Sequence, residues 1–237
     1  MKTVAVIQAR MGSSRLPGKV MKKIAGKPMI ELLLTRLSNS KNLDDIILAT
    51  PETKEDIHLS KFVKDLGFNV FMGSEHDVLD RYYQASKAFG SPNILRITGD
   101  CPLVDPKLVD TMIEKYLLDS TDYVSNLWPR SFPKGLDTEV FSFKSLRRAY
   151  EETENPYDRE HVTPYIRESG KFTISNLNHE NNYSQHRWTV DWIEDFKLIE
   201  AIFDHFHPLL DFTWEDIMDL HNKDPELFHI NKDRILI

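Results

Sequence analysis

The chain has 237 residues, 41% of them hydrophobic and 28% charged, enough for one substantial core under an ordinary polar surface. A formal charge of -7 argues against a nucleic-acid binder, which needs a basic face. The single cysteine, Cys101, allows no intrachain disulfide, and no apolar run approaches the roughly 18 residues of a membrane span. The expected setting is therefore cytoplasmic, with no membrane and no nucleic acid among the partners.

The charge is unevenly spread. Residues 1–40 hold eight Lys or Arg (Lys2, Arg10, Arg15, Lys19, Lys22, Lys23, Lys27 and Arg36) against one acid, Glu31. The remaining chain then carries 22 of the 30 basic residues and 36 of the 37 acidic ones. A basic island in an acidic chain points to a localised site for a small anion.

Val4 to Ile7 is short, apolar and β-branched, the signature of a buried strand. The loop after it runs Gln8-Ala9-Arg10-Met11-Gly12-Ser13-Ser14-Arg15-Leu16-Pro17-Gly18-Lys19. Its small residues let backbone amides approach a ligand, and Arg10, Arg15 and Lys19 supply the charge that a polyphosphate needs. This loop is read as the seat of a nucleoside triphosphate, ahead of a plain solvated turn. It matches neither G-x-G-x-x-G nor G-x-x-x-x-G-K-[ST], which excludes those two phosphate motifs.

A helix is expected from Pro28 to about Leu37, a strand at Ile46–Thr50, then a loop and helix from Pro51 to about Leu66. A third strand at Asn69–Met72 leads to a helix from Asp77 to about Phe89, and a fourth strand covers Asn93–Thr98. Asp105 caps the next helix, with Pro106 at its first position, running to about Leu118. This β-α alternation predicts a mostly parallel sheet with helices on both faces. Beyond it, Tyr123–Ser125 and Thr138–Phe141 are short strands, Ser145–Glu151 and Asp158–Glu168 helices, and Phe172–Leu177 and Arg187–Val190 the last strands. Helices near Ile193–Phe206 and Trp214–Leu220 close the chain. With no repeat or flexible linker, residues 1–237 read as one domain.

Several clusters carry candidate chemistry. Arg96-Ile97-Thr98-Gly99-Asp100-Cys101-Pro102 places Asp100 just past the carboxyl end of the fourth strand, where ligands bind in open α/β sheets. A carboxylate facing a triphosphate needs a cation between them, and Mg²⁺ takes one or two carboxylates plus phosphate oxygens. Asp100 is therefore read as a metal ligand and Cys101 as packing. Asp191, at the end of the strand Arg187–Val190, serves either as a helix cap or as a second metal carboxylate. Ser74 and Asp77 reach a nucleoside or merely turn and cap. Lys134, Asp137 and Glu139, on a loop entering a strand, suit a polar acceptor; Arg159 and His161 open a charged helix. No zinc-type histidine spacing or G-x-S-x-G elbow is present.

With these motifs placed, the chain resembles the cytidylyltransferase superfamily, in particular the group called spore coat polysaccharide biosynthesis protein F-like. Its relatives include the CMP-sugar synthetases for 3-deoxy-manno-octulosonate and acylneuraminate. The likeness rests on Gln8 to Lys19, Gly26-Lys27-Pro28-Met29, Arg96 to Pro102, Gly135 to Phe141, Arg159 to Tyr165 and Val190-Asp191. Where octulosonate enzymes carry Gln-Gly-Asp-Glu-Pro, this chain has Thr98-Gly99-Asp100-Cys101-Pro102.

The resemblance implies a nucleotidyltransferase fold of the glycosyltransferase-A, Rossmann-type kind, with the triphosphate over the first loop. It implies phosphate contacts from Arg15 and Lys19, with Arg10 and Ser13 nearby, and raises Asp191 as a metal ligand beside Asp100. The expected reaction is cytidylyl transfer from CTP to an acidic sugar or related acceptor, releasing pyrophosphate, with Mg²⁺ as cofactor and a homodimer as the possible assembly. Arg15, Lys19 and Asp100 form the expected catalytic set. Gln8, Ala9, Arg10, Gly12, Ser13, Ser74, Asp77, Arg96, Thr98 and Gly99 join the first two around the nucleotide. Lys134, Asp137, Glu139, Arg159 and His161 are expected at the acceptor, whose site falls mainly in residues 120–190. The rival readings are transfer to a phosphonate or phosphorylated alcohol, a glycosyltransferase using a nucleotide-sugar donor, and a non-catalytic nucleotide-binding module.

Overall fold

A computed structural model describes residues 2–234. Its centre is a seven-stranded sheet that begins with β1 (Thr3–Gln8). Next in the chain come a small hairpin, β2 (Lys23–Ile24) and β3 (Lys27–Pro28), and helix α1 (Met29–Leu37). Then follow β4 (Asp45–Pro51), α2 (Asp56–Asp65), β5 (Asn69–Gly73), α3 (Val78–Ala88), β6 (Asn93–Thr98) and α4 (Pro106–Asp119). The less regular half holds β7 (Tyr123–Ser125), β8 (Glu139–Ser142), α5 (Phe143–Glu152), α6 (Pro156–His161), α7 (Pro164–Glu168) and β9 (Ile174–Asn176). Helices α8 (Ile193–Phe206) and α9 (Trp214–Lys223) finish it, before a kinked 3-10 segment at Pro225–Arg234.

The sheet order is β5-β4-β1-β6-β8-β7-β9. The first four strands are mutually parallel, and β8 runs antiparallel to both β6 and β7. Alternation along β1 shows why the sheet is covered on both sides. Ala5 and Ile7 face one apolar layer with Leu32 and Leu33 of α1, Met112 of α4 and Phe203 of α8. Val4 and Val6 face the other, with Leu79 and Tyr82 of α3 and Leu146 of α5. A strand buried on both faces has no polar side, so it reads as a continuous apolar run.

Two pinch points set the loops above the strand ends. A Cβ at Gly99 would lie 2.6 Å from the Ala9 Cβ and 3.0 Å from the Gln8 carbonyl oxygen, so only glycine lets the ends of β1 and β6 close together. Gly135, at φ +113, presses against the Trp188 backbone with no room for a side chain. Asp105 caps α4 as expected, accepting from Lys107 N and Leu108 N, and also takes Trp214 N at 2.7 Å.

Three local expectations are corrected. Arg187–Val190 forms no ladder: Arg187 makes one isolated bridge to Lys134, because the segment crosses between loops instead of lining a strand. Backbone bonds hold it, Lys134 N to His186 O at 2.9 Å, Trp188 N to Lys134 O at 2.6 Å and Val190 N to Asp100 O at 2.8 Å. The helix expected over Asp158–Glu168 is two, broken at Val162 (φ +72), with Pro164 opening the second at its first position, where its missing N–H costs no hydrogen bond. The hairpin β2–β3 was not foreseen; its turn residues Ala25 and Gly26 both have positive φ, as a tight hairpin turn demands. Among the described residues no helix is long and apolar enough to cross a membrane.

Candidate active site

A cavity of about 780 Å³ opens over the carboxyl ends of β1 and β6. Its wall brings together most of the residues singled out from the sequence: Gln8, Ala9, Arg10, Gly12, Ser13, Arg15, Lys19, Ser74, Asp77, Thr98, Gly99, Asp100, Arg159, His161 and Asp191. Arg81, Glu75, His76, Glu154 and Glu160, to which the sequence assigned no individual role, also line it. This is the size of a site for a nucleotide-scale ligand.

The first loop is folded onto itself by bonds from Ser13 N and Gly18 N to the Met11 carbonyl, while Met11 N donates to Asp56 Oδ1 at 2.7 Å. Gly18, at φ +66, turns the chain into a short 3-10 turn that starts at Lys19. From there the Lys19 ammonium donates to the Val190 carbonyl at 2.6 Å, to Asp191 Oδ1 at 3.1 Å and to Asp100 Oδ2 at 3.4 Å. The loop after β1, the loop after β6 and the crossing segment before α8 thus meet at one nitrogen.

Asp191 is gripped from behind as well. Its Oδ2 accepts from Arg187 Nη2 at 2.8 Å, and Arg187 is clamped by Asp195 through Nε at 3.0 Å and Nη2 at 3.1 Å. Asp195 also accepts from Asp191 N and Trp192 N at 3.0 Å each, so it caps the start of α8. The choice left open for Asp191 is decided against a helix cap: its carboxylate serves Lys19 and Arg187 instead. Burial pushes the Asp191 carboxyl up, but Lys19 and Arg187 outweigh that and hold it below the usual carboxylate range. Arg187 and Asp195 are the residues here that motif reasoning missed; a buried ion pair eight positions apart leaves no local pattern.

Further along the wall, Asp77 caps α3 through Oδ1 to Asp80 N at 2.9 Å and pairs with Arg159 through Oδ2 at 2.6 Å. Arg159 also donates to the Thr153 carbonyl at 3.0 Å, so one guanidinium ties α6 to the end of α5 and, through Asp77, to the entrance of α3. Arg81 is buried, bonds the Ser74 carbonyl through Nη1, and leaves its Nε without a protein partner. Arg15, exposed on the loop, lies over the Trp192 ring at 5.1 Å.

Two assignments change. Arg96, expected at the nucleotide, stands behind the wall: Nη1 pairs with Glu139 and Nη2 donates to Gln8 Oε1 at 3.1 Å. Glu139, expected at the acceptor, is only 2% exposed and its carboxylate is already used. It takes Arg96, the Tyr123 hydroxyl at 2.6 Å and the Thr163 hydroxyl at 2.6 Å. The acceptor set is therefore divided. Arg159 and His161 line the cavity beside Asp77, whereas Lys134 and Asp137 lie outside its lining. Asp137 is bound by Arg130, with Nη2 to Oδ2 at 3.0 Å. The Lys134 ammonium is pushed down by burial and by Arg187, offset partly by Asp191 and Asp137. Cys101 is buried and its thiol is pushed well up by burial and by Asp100, which makes it packing, not a nucleophile.

The donor set fits Mg²⁺ better than a metal caged by protein alone. Among the described residues no cluster of three His, Cys, Asp or Glu forms a metal site. Asp100 and Asp191 are two hard carboxylates that meet at the Lys19 ammonium, at 3.4 and 3.1 Å, a donor type and number that Mg²⁺ takes together with phosphate oxygens and water. Five Arg or Lys and six Asp or Glu line the cavity, so a triphosphate entering it needs an accompanying cation.

A family model described as cytidylyltransferase matches residues 4–224. The spore coat polysaccharide biosynthesis protein SpsF of Bacillus subtilis is 34% identical over 230 residues, covering 93% of this chain and 94% of its own. The 3-deoxy-manno-octulosonate cytidylyltransferase 2 of Hydrogenovibrio crunogenus is 30% identical over 191 residues, covering 78% of this chain and 70% of its own. A solved cytidylyltransferase structure from Leptospira borgpetersenii superposes with a TM-score of 0.92 at 32% identity, over 96% of this chain and 97% of that one.

Proposed function

The chain belongs to the cytidylyltransferase family, and on that premise we propose that it transfers a cytidylyl group from CTP to a hydroxyl of an acidic sugar or related acceptor. The observation that carries the reading is the meeting of Lys19, Asp100 and Asp191 at one point of a nucleotide-sized cavity. The acceptor oxygen attacks the α-phosphorus in line, the bond from that phosphorus to the bridging oxygen of the β-phosphate breaks, and pyrophosphate leaves. The hydroxyl proton passes to water.

Catalysis of this kind is positioning plus charge stabilisation. Lys19 and Arg15 neutralise the charge that gathers on departing pyrophosphate, with Arg10 and the amides of Gly12 and Ser14 holding the phosphates. Asp100 and Asp191 would hold Mg²⁺, which supplies Lewis-acid polarisation of the phosphate when bound. An acidic acceptor is supported by the octulosonate relative, and a role in surface polysaccharide synthesis by the SpsF relative.

The test is a pyrophosphate-release screen of four nucleoside triphosphates against sugar acids, phosphonates and phosphorylated alcohols, with and without Mg²⁺. The expected result is release from CTP with a sugar acid and Mg²⁺ only. Release of a nucleoside diphosphate from nucleotide sugars, or binding of CTP without turnover of any acceptor, overturns the proposal.

A further inference from the structure

One device in the cavity has no part in the charge chemistry. Gln8, at the end of β1 and in register with Thr98 of β6, is the only carboxamide in the cavity lining among the described residues. Its amide orientation is forced. Arg96 donates to it, and a guanidinium has donors only, so the amide oxygen must face Arg96 and the NH₂ must face the other way. Arg96 cannot easily move. It is paired with Glu139, packs against the Tyr82 ring at 5.9 Å, and Tyr82 is itself fully buried and bonded to the Val6 carbonyl. Glu139 is fixed in turn by Tyr123 and Thr163, the latter two residues beyond His161 on the cavity wall.

A buried ion pair is a costly way to hold a neutral amide unless the direction of the amide matters. An amide that can only donate distinguishes ligands by what they present. On its pairing edge cytosine offers acceptors at N3 and O2; uracil shares the O2 acceptor but carries a hydrogen on N3, so only a donor aimed at N3 is satisfied by cytosine and opposed by uracil. We propose that Gln8 is the base-reading residue of this site, its NH₂ donating to N3 of cytosine, and that Arg96 is the positioning residue that denies it the opposite orientation. This rests on the reading of the cavity as a CTP site.

The experiment measures equilibrium binding of CTP and of UTP, each with Mg²⁺, by titration calorimetry, so that no acceptor need be known. Wild-type protein is compared with Gln8→Glu, Gln8→Leu and Arg96→Lys, each confirmed as folded by circular dichroism. Gln8→Glu gives Arg96 a second carboxylate and keeps the side-chain size, so it preserves the packing; Gln8→Leu serves if it does not fold. The expected result is a fall of about 10- to 100-fold in the CTP-to-UTP affinity ratio in each Gln8 variant, the scale of one satisfied against one opposed hydrogen bond. A smaller fall in the same direction is expected in Arg96→Lys, which keeps the charge beside Glu139 but loses the fork that orients the amide. An unchanged ratio in the folded Gln8 variants overturns this inference alone, as does an equal loss for both nucleotides, which would place Gln8 against ribose or phosphate. Wild-type protein that does not prefer CTP overturns both this inference and the reading it rests on.

Discussion

Asp191 and Gln8 are each held from behind by an arginine that is itself paired with a buried acid, yet the two pairs deliver different things to the cavity. Arg187 and Asp195 steady a carboxylate, which stays charged and faces a lysine. Arg96 and Glu139 steady an amide, which carries no charge and offers only direction. The first pair adjusts how strongly a group pulls; the second adjusts which way it points. Both use an expensive buried ion pair, and in both the cost falls on residues away from the cavity wall.

The comparison is broken most severely by removing a buried acid. Glu139→Leu leaves Arg96 without its carboxylate inside the sheet and should lower stability by about 3–5 kcal/mol, measured by urea unfolding. Asp195→Leu should cost as much and abolish activity as well; equal activity in the two variants would mean that the pairs do the same job. Next in size, Lys19→Ala should lower turnover on the order of 10²-fold with the fold intact, the effect of losing one charge-stabilising donor. Unchanged pyrophosphate release would remove Lys19 from the catalytic set. Arg187→Lys should be milder, raising the Mg²⁺ concentration for half-maximal rate by about 10-fold, as loss of an outer partner of a metal ligand does.

The smallest effect is one of pH. Burial, and then His221, push His186 down to about 4 from an ordinary 6.5. As pH falls through that interval the unfolded chain takes up the proton first, so stability contributed by neutral His186 is whole above 6.5 and fades toward 4. Because His186 precedes Arg187, acid should loosen the side that bears Asp191 before the side that bears Gln8. Thermal melts between pH 7 and 4 should show a decline of a few degrees that His186→Asn removes.

The parallel half of the fold was legible because strands buried on both faces, such as Thr3–Gln8 and Asp45–Pro51, have no polar alternation to mislead. The loop from Gln8 to Lys19 was legible because its charges and glycines are contiguous. What escaped is non-local. Glu139 looked like a charge on an entry loop, although its partner Arg96 stands 43 residues earlier. A signal did exist: an arginine inside the otherwise apolar run Ile94–Ile97 must be paired if that strand is buried. The pairing of Arg187 with Asp195 had no such marker, and near Val162 the one mark was Pro164, which suits the first turn of a new helix.

The bond between Lys19 and Asp191 spans 172 positions of sequence. During synthesis the cationic loop leaves the ribosome long before the acid that meets it. A nascent polypeptide can therefore build the parallel strands and still have no finished active centre, and a product cut short before the final helices should be inert even where its sheet has formed.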